Sequence, residues 1–428
     1  MTTNDKKITW MTFLLCLTSI ALARNAPGVR WGRQIVTPTT DSIFATLVAD
    51  SNEGVYLSVT RKPEDDSGQK SEARYLLKYS QDGEPLWSKQ LGVNEDGNSV
   101  PLMVNDMVTD DQGNVYICGH AEGKLGPKQL GKNDAFFAKY DKAGTRQWVR
   151  QVGTPEHDVC EGLDIDASGN MYIAGYTYGS FAGPNKGGSD MFIAAYDKHG
   201  ALLWKDQFGT GERERPKDIR LGKDKDVYLC GTTPGSLARK NNGQEDFFVA
   251  RYERTGKRLW LCQDGTPAAD RGNCMEIGEQ GQVYVAGLTG GDLAFRKAQR
   301  GNGDAFVVRI SDTGEVLWRR QISSRGYETV FQLARFSDGS GDVLAGGCQY
   351  PTGPHCQAFY RRYTPEGRLV WVKVFRKRST CGRAVAIDSN NNCYLSGGTN
   401  ADNFAVNNGT SNIFLIRLDG AIDEQASP

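Results

Sequence analysis

The chain has 428 residues, with 51 basic and 51 acidic side chains, so its formal net charge is zero. A neutral chain lacks the strong positive field that binding to nucleic acid or to an anionic membrane surface requires, which excludes both as partners. Length alone would predict about three domains. A repeated pattern overrides this estimate, because a repeat architecture builds one domain from many short copies.

The first 23 residues predict a signal peptide. Lys6 and Lys7 precede an apolar run over 8–23, which ends in the small-x-small pattern Ala-Leu-Ala. The run is shorter than the roughly 20 residues that a membrane-spanning helix needs. We therefore expect cleavage after residue 23, a mature chain without a transmembrane span, and a secreted, periplasmic or cell-surface location. Retention of the segment as an uncleaved anchor is the alternative.

Nine of the ten cysteines follow this segment, and an odd number cannot pair completely. Cys118 and Cys230 occupy one position of a repeated segment in which other copies carry alanine, so we expect them to be small buried thiols. No Cys-x-x-Cys motif is present and the chain has only four histidines, so no metal site is predicted. Two pairs that flank turns or polar loops are the disulfide candidates, Cys348 with Cys356 and Cys262 with Cys274.

Tryptophan spacing indicates seven copies of a repeat. Successive tryptophans after the signal lie 53 to 61 residues apart, at Trp31, Trp87, Trp148, Trp204, Trp260, Trp318 and Trp371. A second register is formed by the tyrosine of Val-Tyr-x-x-Gly and its equivalents, at Tyr56, Tyr116, Tyr172, Tyr228, Tyr284 and Tyr394, with Leu344 in the sixth copy.

Each copy contains four predicted strands. In the third copy these are 162–166, 170–177, 190–196 and 201–208, separated by turns rich in Gly, Asp, Asn and Ser. Runs of five to eight residues without a 3.6-residue period favour strands over helices. Seven copies of four antiparallel strands predict an all-β fold, a seven-bladed β-propeller over residues 24–420 with a tail at 421–428.

The ends of the chain complement each other. The last copy stops at residue 420 without its tryptophan strand, while residues 29–35 match the tryptophan strands of the other copies. We therefore expect this N-terminal strand to complete the last blade and to remove an exposed sheet edge.

The third copy also carries a family resemblance. Its pattern is Asp-x-x-Gly-Asn-x-Tyr-x-x-Gly over 166–175, Gly-x-Asp-x-Phe over 188–192 and Tyr-Asp-x-x-Gly-x-x-x-Trp over 196–204. This pattern resembles the exported bacterial-type β-propeller repeats called SBBP repeats, and the resemblance extends over the whole mature chain. It implies the propeller fold and a secreted or cell-surface location, without a particular activity.

Acidic residues in the repeats predict turns rather than cation sites. Asp164 and Asp166 fit the first half of a calcium loop, but Gly175 stands where the loop needs a bidentate glutamate. A β-turn explains this segment better. The aspartates that precede the third strands could bind cations in a ring, but capping of backbone N–H groups is favoured. These are Asp134, Asp190, Asp246 and Asp304.

The variable side chains predict a binding surface. Loops between the second and third strands, and between consecutive copies, emerge on one side of a propeller, which we call the loop face. Residues of this face that break the repeat are the candidate ligand contacts, namely His120, His157, Arg213, Arg215, Arg376 and Arg378.

These patterns favour a monomeric binding or scaffold module for an extracellular protein or carbohydrate, with no cofactor and no catalytic residue assigned. The alternative is an enzyme with its site at the mouth of the central channel, a hydrolase, a lyase or a quinone-type oxidoreductase. The tryptophan strand itself resembles those of quinone-dependent dehydrogenase propellers, but a shared strand carries no active site.

Overall fold

A computed structural model describes residues 29–36, 46–50, 54–61, 73–294, 303–324, 326–350, 355–376, 380–399 and 412–418. The predicted signal peptide, 1–23, and the predicted tail, 421–428, lie outside the described residues. Every regular element of the described residues is a β-strand. No helix of the described part is long and apolar enough to cross a membrane.

Twenty-eight strands follow one another along the described chain. They are β1 (Val29–Val36), β2 (Thr46–Asp50), β3 (Gly54–Arg61), β4 (Ala73–Tyr79), β5 (Pro85–Gln90), β6 (Leu102–Thr109), β7 (Val115–Ala121), β8 (Asp134–Tyr140), β9 (Arg146–Val152), β10 (Asp158–Ile165), β11 (Met171–Thr177), β12 (Asp190–Tyr196), β13 (Leu202–Phe208), β14 (Arg215–Leu221), β15 (Val227–Thr233), β16 (Asp246–Tyr252), β17 (Arg258–Asp264), β18 (Asp270–Ile277), β19 (Val283–Thr289), β20 (Asp304–Ile310), β21 (Val316–Ile322), β22 (Tyr327–Arg335), β23 (Val343–Tyr350), β24 (Gln357–Tyr363), β25 (Leu369–Phe375), β26 (Thr380–Ile387), β27 (Cys393–Thr399) and β28 (Asn412–Leu418).

The strands form four-stranded antiparallel sheets in a propeller-like arrangement. Sheets I to V are β2–β5, β6–β9, β10–β13, β14–β17 and β18–β21. Sheet VI is β22–β25, and sheet VII is β26–β28 with β1 paired antiparallel to β28. One parallel pair, Gln357 with Thr380, joins sheets VI and VII into a single eight-stranded sheet.

Turn chemistry explains where the strands end. Between β10 and β11, Asp166 Oδ1 accepts the backbone N–H groups of Ser168 and Asn170 at 2.8 and 2.9 Å. Gly169 adopts a φ of 79°, a left-handed conformation that glycine enters without steric cost. The segment weighed as a calcium loop is therefore a β-turn, as predicted.

Recurring aspartates cap loops at the start of the third strands, which confirms the predicted role for Asp134, Asp190 and Asp246. Asp190 Oδ2 accepts the backbone N–H of Lys186 at 3.1 Å and the side-chain amide of Gln207 at 3.0 Å. Gln207 in turn accepts the backbone N–H groups of Phe181 and Ala182 through its Oε1. Aspartate and glutamine together fix the loop between the second and third strands.

The core lies between the sheets. Each pair of successive sheets encloses an apolar cluster, and one such cluster joins sheet VII to sheet I. The repeat tyrosines are almost fully buried in these clusters. The half-buried tryptophan of the fourth strand packs against the tyrosine of its own sheet, as in Tyr172 with Trp204 at a ring-centre distance of 6.3 Å.

Tryptophans also link neighbouring sheets through hydrogen bonds. Trp204 Nε1 in sheet III donates to the carbonyl of Arg254 in sheet IV at 2.7 Å, and Trp260 and Trp318 make equivalent bonds to the next sheets. Trp31 Nε1 of β1 donates to the carbonyl of Gln81 in sheet I at 2.7 Å. The first strands of the sheets contact one another in sequence, and β26 contacts β2.

Candidate functional site

The first strands surround a central cavity of about 340 Å³. In six of these strands the pairing with the second strand skips one residue at a β-bulge. A bulge redirects a side chain, and each skipped residue lines the cavity. From sheet II to sheet VII, these residues, which we call the bulge ring, are Asn105, Glu161, Lys217, Asn273, Phe331 and Arg383.

Contacts within the bulge ring join one sheet to the next. Lys217 Nζ lies 3.0 Å from Glu161 Oε1, and the Arg383 guanidinium carbon lies 4.2 Å from the centre of the Phe331 ring. The two asparagine amides donate to backbone carbonyls of the following sheet. Each bulge lies at or just before the midpoint of its strand, so the ring is nearer to the loop face than the side chains that follow it along these strands.

A charged cluster lies on the far side of the bulge ring from the loop face, and three of its members, Asp106, Asp218 and Arg220, line the cavity. Arg220 Nη1 lies 2.8 Å from Asp218 Oδ1 and 3.4 Å from Asp106 Oδ2. Asp164 and Glu276 also act on Arg220 through their charges. Burial opposes the positive charge, but the carboxylates, Asp218 first among them, outweigh it and hold the pKa of Arg220 well above its ordinary value. We call these five residues the channel cluster.

Burial changes the acidity of the channel carboxylates. It raises the pKa of Asp218 to about 7 and that of Asp164 to about 6, although Arg220 acts against both shifts. Backbone N–H groups partly compensate, since Met275 donates to Asp218 at 2.9 Å and Leu221 donates to Asp164 at 2.8 Å. Burial thus favours the protonated forms of Asp164 and Asp218.

These shifts predict that stability falls as the pH rises. Burial raises the pKa of nine acidic groups, namely Asp106, Asp134, Asp158, Asp164, Asp218, Asp226, Asp270, Glu276 and Glu328. The folded protein holds these protons at a pH where the unfolded chain, with carboxyl pKa values near 4, has lost them. Their contribution is therefore complete below about pH 4 and is lost as the pH rises through the folded-state pKa values, which are about 6 for Asp158 and Asp164 and about 7 for Asp218. We expect the melting temperature to fall by on the order of 5 °C between pH 5 and pH 8.

The variant Asp218→Asn checks this prediction, because the amide keeps the size of the side chain and removes the proton equilibrium. Its melting temperature should depend less on pH than that of the wild type. His120 and Cys381 act in the opposite direction, since burial lowers the pKa of His120 and hydrogen bonds from Cys348 and Cys356 lower that of Cys381, but they are two groups against nine. A wild-type melting temperature that is constant or rises from pH 5 to pH 8 would contradict the prediction.

A second concavity of about 550 Å³ lies beside the cavity. We call it the basic groove, and four of its lining residues are Arg213, Arg215, Lys217 and Arg271. Arg271 Nε lies 2.6 Å from Glu245 Oε2, so its charge is paired. Lys217 also lines the central cavity, which makes the groove continuous with the bulge ring.

The structure brings only part of the predicted binding set together. Arg213 and Arg215 are exposed in the basic groove. Burial lowers the pKa of the half-buried His120, and the nearby charge of His157 lowers it further. Arg376 is exposed but does not line the groove. The sixth residue, Arg378, lies outside the described residues.

Neither predicted disulfide is present in the structure, and all nine described cysteines are free thiols. Cys262 lies on the fourth strand of sheet IV and Cys274 on the first strand of sheet V. These strands occupy opposite edges of neighbouring sheets, and a disulfide needs Cα atoms within about 7 Å. The predicted disulfide between Cys262 and Cys274 is therefore wrong.

The other predicted disulfide pair, Cys348 with Cys356, lies in a group of three thiols. Cys348 and Cys356 have sulfur atoms within 4.8 Å of each other, but both lie equally near a third thiol, Cys381. The prediction of buried thiols at Cys118 and Cys230 is confirmed, since both side chains are fully buried.

The comparison with known families identifies the repeat. Residues 147–182 match the SBBP β-propeller repeat. The chain carries an SBBP repeat. The matched residues contain most of β9 and all of β10 and β11, so the repeat begins in the tryptophan strand of sheet II and ends beyond the second strand of sheet III. The predicted resemblance is confirmed for this repeat.

Curated relatives of this SBBP-repeat chain are much longer proteins. The chain is 26% identical to the regulatory protein FlaEY of Caulobacter vibrioides over 55% of its own length and 28% of that protein. It is 21% identical to the WD repeat-containing protein L264 of Acanthamoeba polyphaga mimivirus, over 84% of its length and 33% of that protein. The chain therefore spans about a third or less of these relatives.

A solved structure with a similar fold is an ulvan lyase of polysaccharide lyase family PL25. It is 12% identical to this chain, with a TM-score of 0.45 over 85% of this chain and 93% of the lyase.

Proposed function

We propose that the protein is an exported, monomeric β-propeller that binds an acidic extracellular ligand, a protein or a glycan, on its loop face. The ligand site combines the basic groove with the mouth of the channel at the bulge ring. The single observation that carries this proposal is the pair of exposed arginines, Arg213 and Arg215, in a groove that opens on the channel.

A closed ring of seven blades over residues 24–420 is the architecture that we infer. The pairing of β1 with β28 supports it, because the last blade then combines the first strand with the last three strands. The cycle of contacts among the first strands, in which β26 contacts β2, supports it as well. A ring of this kind protects its sheet edges, and the proposal of a monomer follows from that protection.

Export rests on the amino-terminal pattern and on the repeat. Residues 1–23 have the charged start, apolar run and small-residue end of a signal peptide. SBBP repeats are typical of exported proteins, and the chain carries one. We propose a secreted, periplasmic or cell-surface location.

Charge determines the ligand chemistry. Two cations at this mouth have partners, since Lys217 pairs with Glu161 and Arg271 with Glu245. Among the described residues, by contrast, no carboxylate lies within 4.0 Å of the guanidinium groups of Arg213 and Arg215. A guanidinium presents paired N–H donors that match a carboxylate or a sulfate. Acidic groups on a glycan or a peptide would therefore pair with these two guanidinium groups.

The test is a binding array of acidic and neutral glycans and peptides, probed with the wild type and with Arg213→Glu/Arg215→Glu. We expect the double variant to lose capture of acidic ligands by at least about tenfold, and wild-type binding to weaken with added salt. The matched control is Lys142→Glu/Lys198→Glu, which reverses two exposed charges in turns on the opposite face. It should bind as the wild type does.

Melting temperatures of all variants should agree, because the exchanged side chains are exposed. Retention of every wild-type ligand by the arginine variant would refute the groove as the site. Equal loss in both double variants would show an effect of net charge rather than of the groove.

The channel cluster favours a second candidate, an enzyme with a hydrolase, lyase or quinone-type activity at the channel mouth. Asp218 lines the cavity, and burial raises its pKa to about 7, a value suited to general acid–base catalysis. If an array ligand is cleaved or oxidised, Asp218→Asn should abolish turnover and leave capture intact. Ligands recovered unchanged after incubation with the wild type would support the binding module instead.

A further inference from the structure

Three cysteine thiols meet where sheets VI and VII join. Cys348 belongs to β23, Cys356 immediately precedes β24, and Cys381 belongs to β26. Their sulfur atoms all lie within 4.8 Å of one another. Cys348 and Cys356 are 2% exposed and Cys381 is half-buried. We call these residues the thiol cluster.

Backbone pairing holds the three residues in place. The Thr380 N–H donates to the carbonyl of Cys356 at 2.9 Å, beside the parallel pair of Gln357 with Thr380. Cys348 stands opposite Thr329 in the antiparallel ladder of sheet VI. Two of the three cysteines thus lie on strands of two sheets and the third directly before a strand, and strands position side chains more accurately than loops do.

Packing of the repeat does not account for these cysteines. Cys348 is the sixth residue of its strand, and the equivalent residues of β7, β11 and β15 are His120, Tyr176 and Thr232. The positions of the other two cysteines also vary between junctions, with Asn133 and Val159, for example, at the junction of sheets II and III. Three positions that are free to vary all carry cysteine at one junction.

Polar groups also contact the thiol cluster. The Cys348 thiol donates to the carbonyl oxygen of Gly382 at 3.4 Å. The hydroxyl of Tyr350 lies 3.8 Å from Cys381 Sγ. A metal ion held by the three sulfurs would replace the thiol protons.

We propose that the thiol cluster binds one soft, thiophilic metal ion, Cu(I), through the sulfur atoms of Cys348, Cys356 and Cys381. Metal–sulfur bonds of about 2.3 Å in a trigonal plane separate the sulfurs by about 4 Å, so the observed spacing needs only a small contraction. Soft thiolates select Cu(I) and Zn(II).

The number of ligands favours Cu(I). Structural zinc sites take four ligands, whereas no described His, Asp or Glu side chain joins the three sulfurs within the same distance. Binding replaces thiol protons, which leave to solvent, and neither the metal nor the sulfurs change oxidation state. Metal binding here is independent of the proposed ligand site, because it uses neither the basic groove nor the channel cluster.

The experiment uses the full exported chain, purified and reduced without oxygen and then freed of reductant. Cu(I) is added in competition with a chromophoric Cu(I) chelator, and Zn(II) is tested in parallel. We expect one equivalent of Cu(I) per chain, proton release on binding, and protection of three thiols from alkylation. Cys381→Ser and Cys356→Ser should each weaken Cu(I) binding by more than about 100-fold.

The matched control is Cys393→Ser, a buried cysteine of β27 in sheet VII that lies outside the thiol cluster. It should bind Cu(I) as the wild type does. Failure of the wild type to bind Cu(I) or a preference for Zn(II) would overturn the proposal. Binding of Cu(I) by Cys381→Ser or Cys356→Ser with wild-type affinity would overturn it as well. A disulfide between two cluster cysteines that forms in the presence of equimolar Cu(I) would overturn it too.

Discussion

Deletion of residues 24–36 should lower the free energy of unfolding by on the order of 5 kcal/mol. This deletion removes β1, which pairs with β28 from Val29 to Val36. It also removes the buried side chain of Ile35, which belongs to the apolar cluster between sheets VII and I. Burial of one such aliphatic side chain contributes about 1.5 to 3 kcal/mol, and loss of a packed tryptophan costs about 3 to 5 kcal/mol.

Trp31 gives the deletion a further effect on sheet I. Its ring lies 6.2 Å from that of Tyr394 in sheet VII, and its Nε1 donates to Gln81 in sheet I. Arg33 Nε likewise donates to the carbonyl of Gly83 at 2.7 Å. Without β1, sheet VII exposes the edge of β28 and loses these bonds to sheet I, so aggregation should accompany the loss of stability.

Thermal or urea unfolding of three variants measures the effect. Deletion of 421–428, a segment that follows the last strand, is the control and should be nearly silent. Trp31→Ala should be a milder form of the same defect as deletion of 24–36. Equal stability of the two truncated proteins would refute the role of β1 as the closing strand.

Strand positions could be predicted from the sequence because turn residues mark both ends. In the third copy, the prediction of 190–196 coincides with β12, and 170–177 and 201–208 each differ from β11 and β13 by one residue. The first strand was placed at 162–166, whereas β10 is Asp158–Ile165. Glu161 interrupts the alternation of β10 as a bulge, which hides the first half of the strand from a pattern of period two.

The same bulges explain why the residues that line the cavity could not be predicted from the sequence. A side chain enters the cavity only because the pairing of the first and second strands shifts by one residue. In the sequence, Lys217 and Asn273 look like any polar residues of a half-buried strand. Arg213 and Arg215 could be found because they interrupt the repeat near a loop. Two members of the thiol cluster, Cys348 and Cys356, could be paired from the sequence because they are close along the chain. Cys381 could not, because it comes from the next sheet.

Replacement of Arg220 by methionine should destabilise the protein by about 3 kcal/mol at pH 8. The variant keeps most of the apolar length of the side chain but leaves Asp218 and Asp106 without their common cation. Removal of one partner from a buried ion pair is costly because the remaining charge stays in a poorly solvated site. The pKa of Asp218, already about 7, should rise further in the variant.

This loss should depend on pH in a defined direction. Below about pH 5 Asp164 and Asp218 are protonated in both proteins, so the difference in unfolding free energy should shrink there and grow through pH 6 to 8. Urea unfolding of the wild type and Arg220→Met at pH 5 and pH 8 measures it. Lys223→Met removes a cation whose partner is exposed, Glu279, and should cost less than about 1 kcal/mol at either pH. A loss in Arg220→Met that is equal at both pH values would show that the side chain acts through packing, because only an electrostatic role makes the loss follow the charge of the carboxylates.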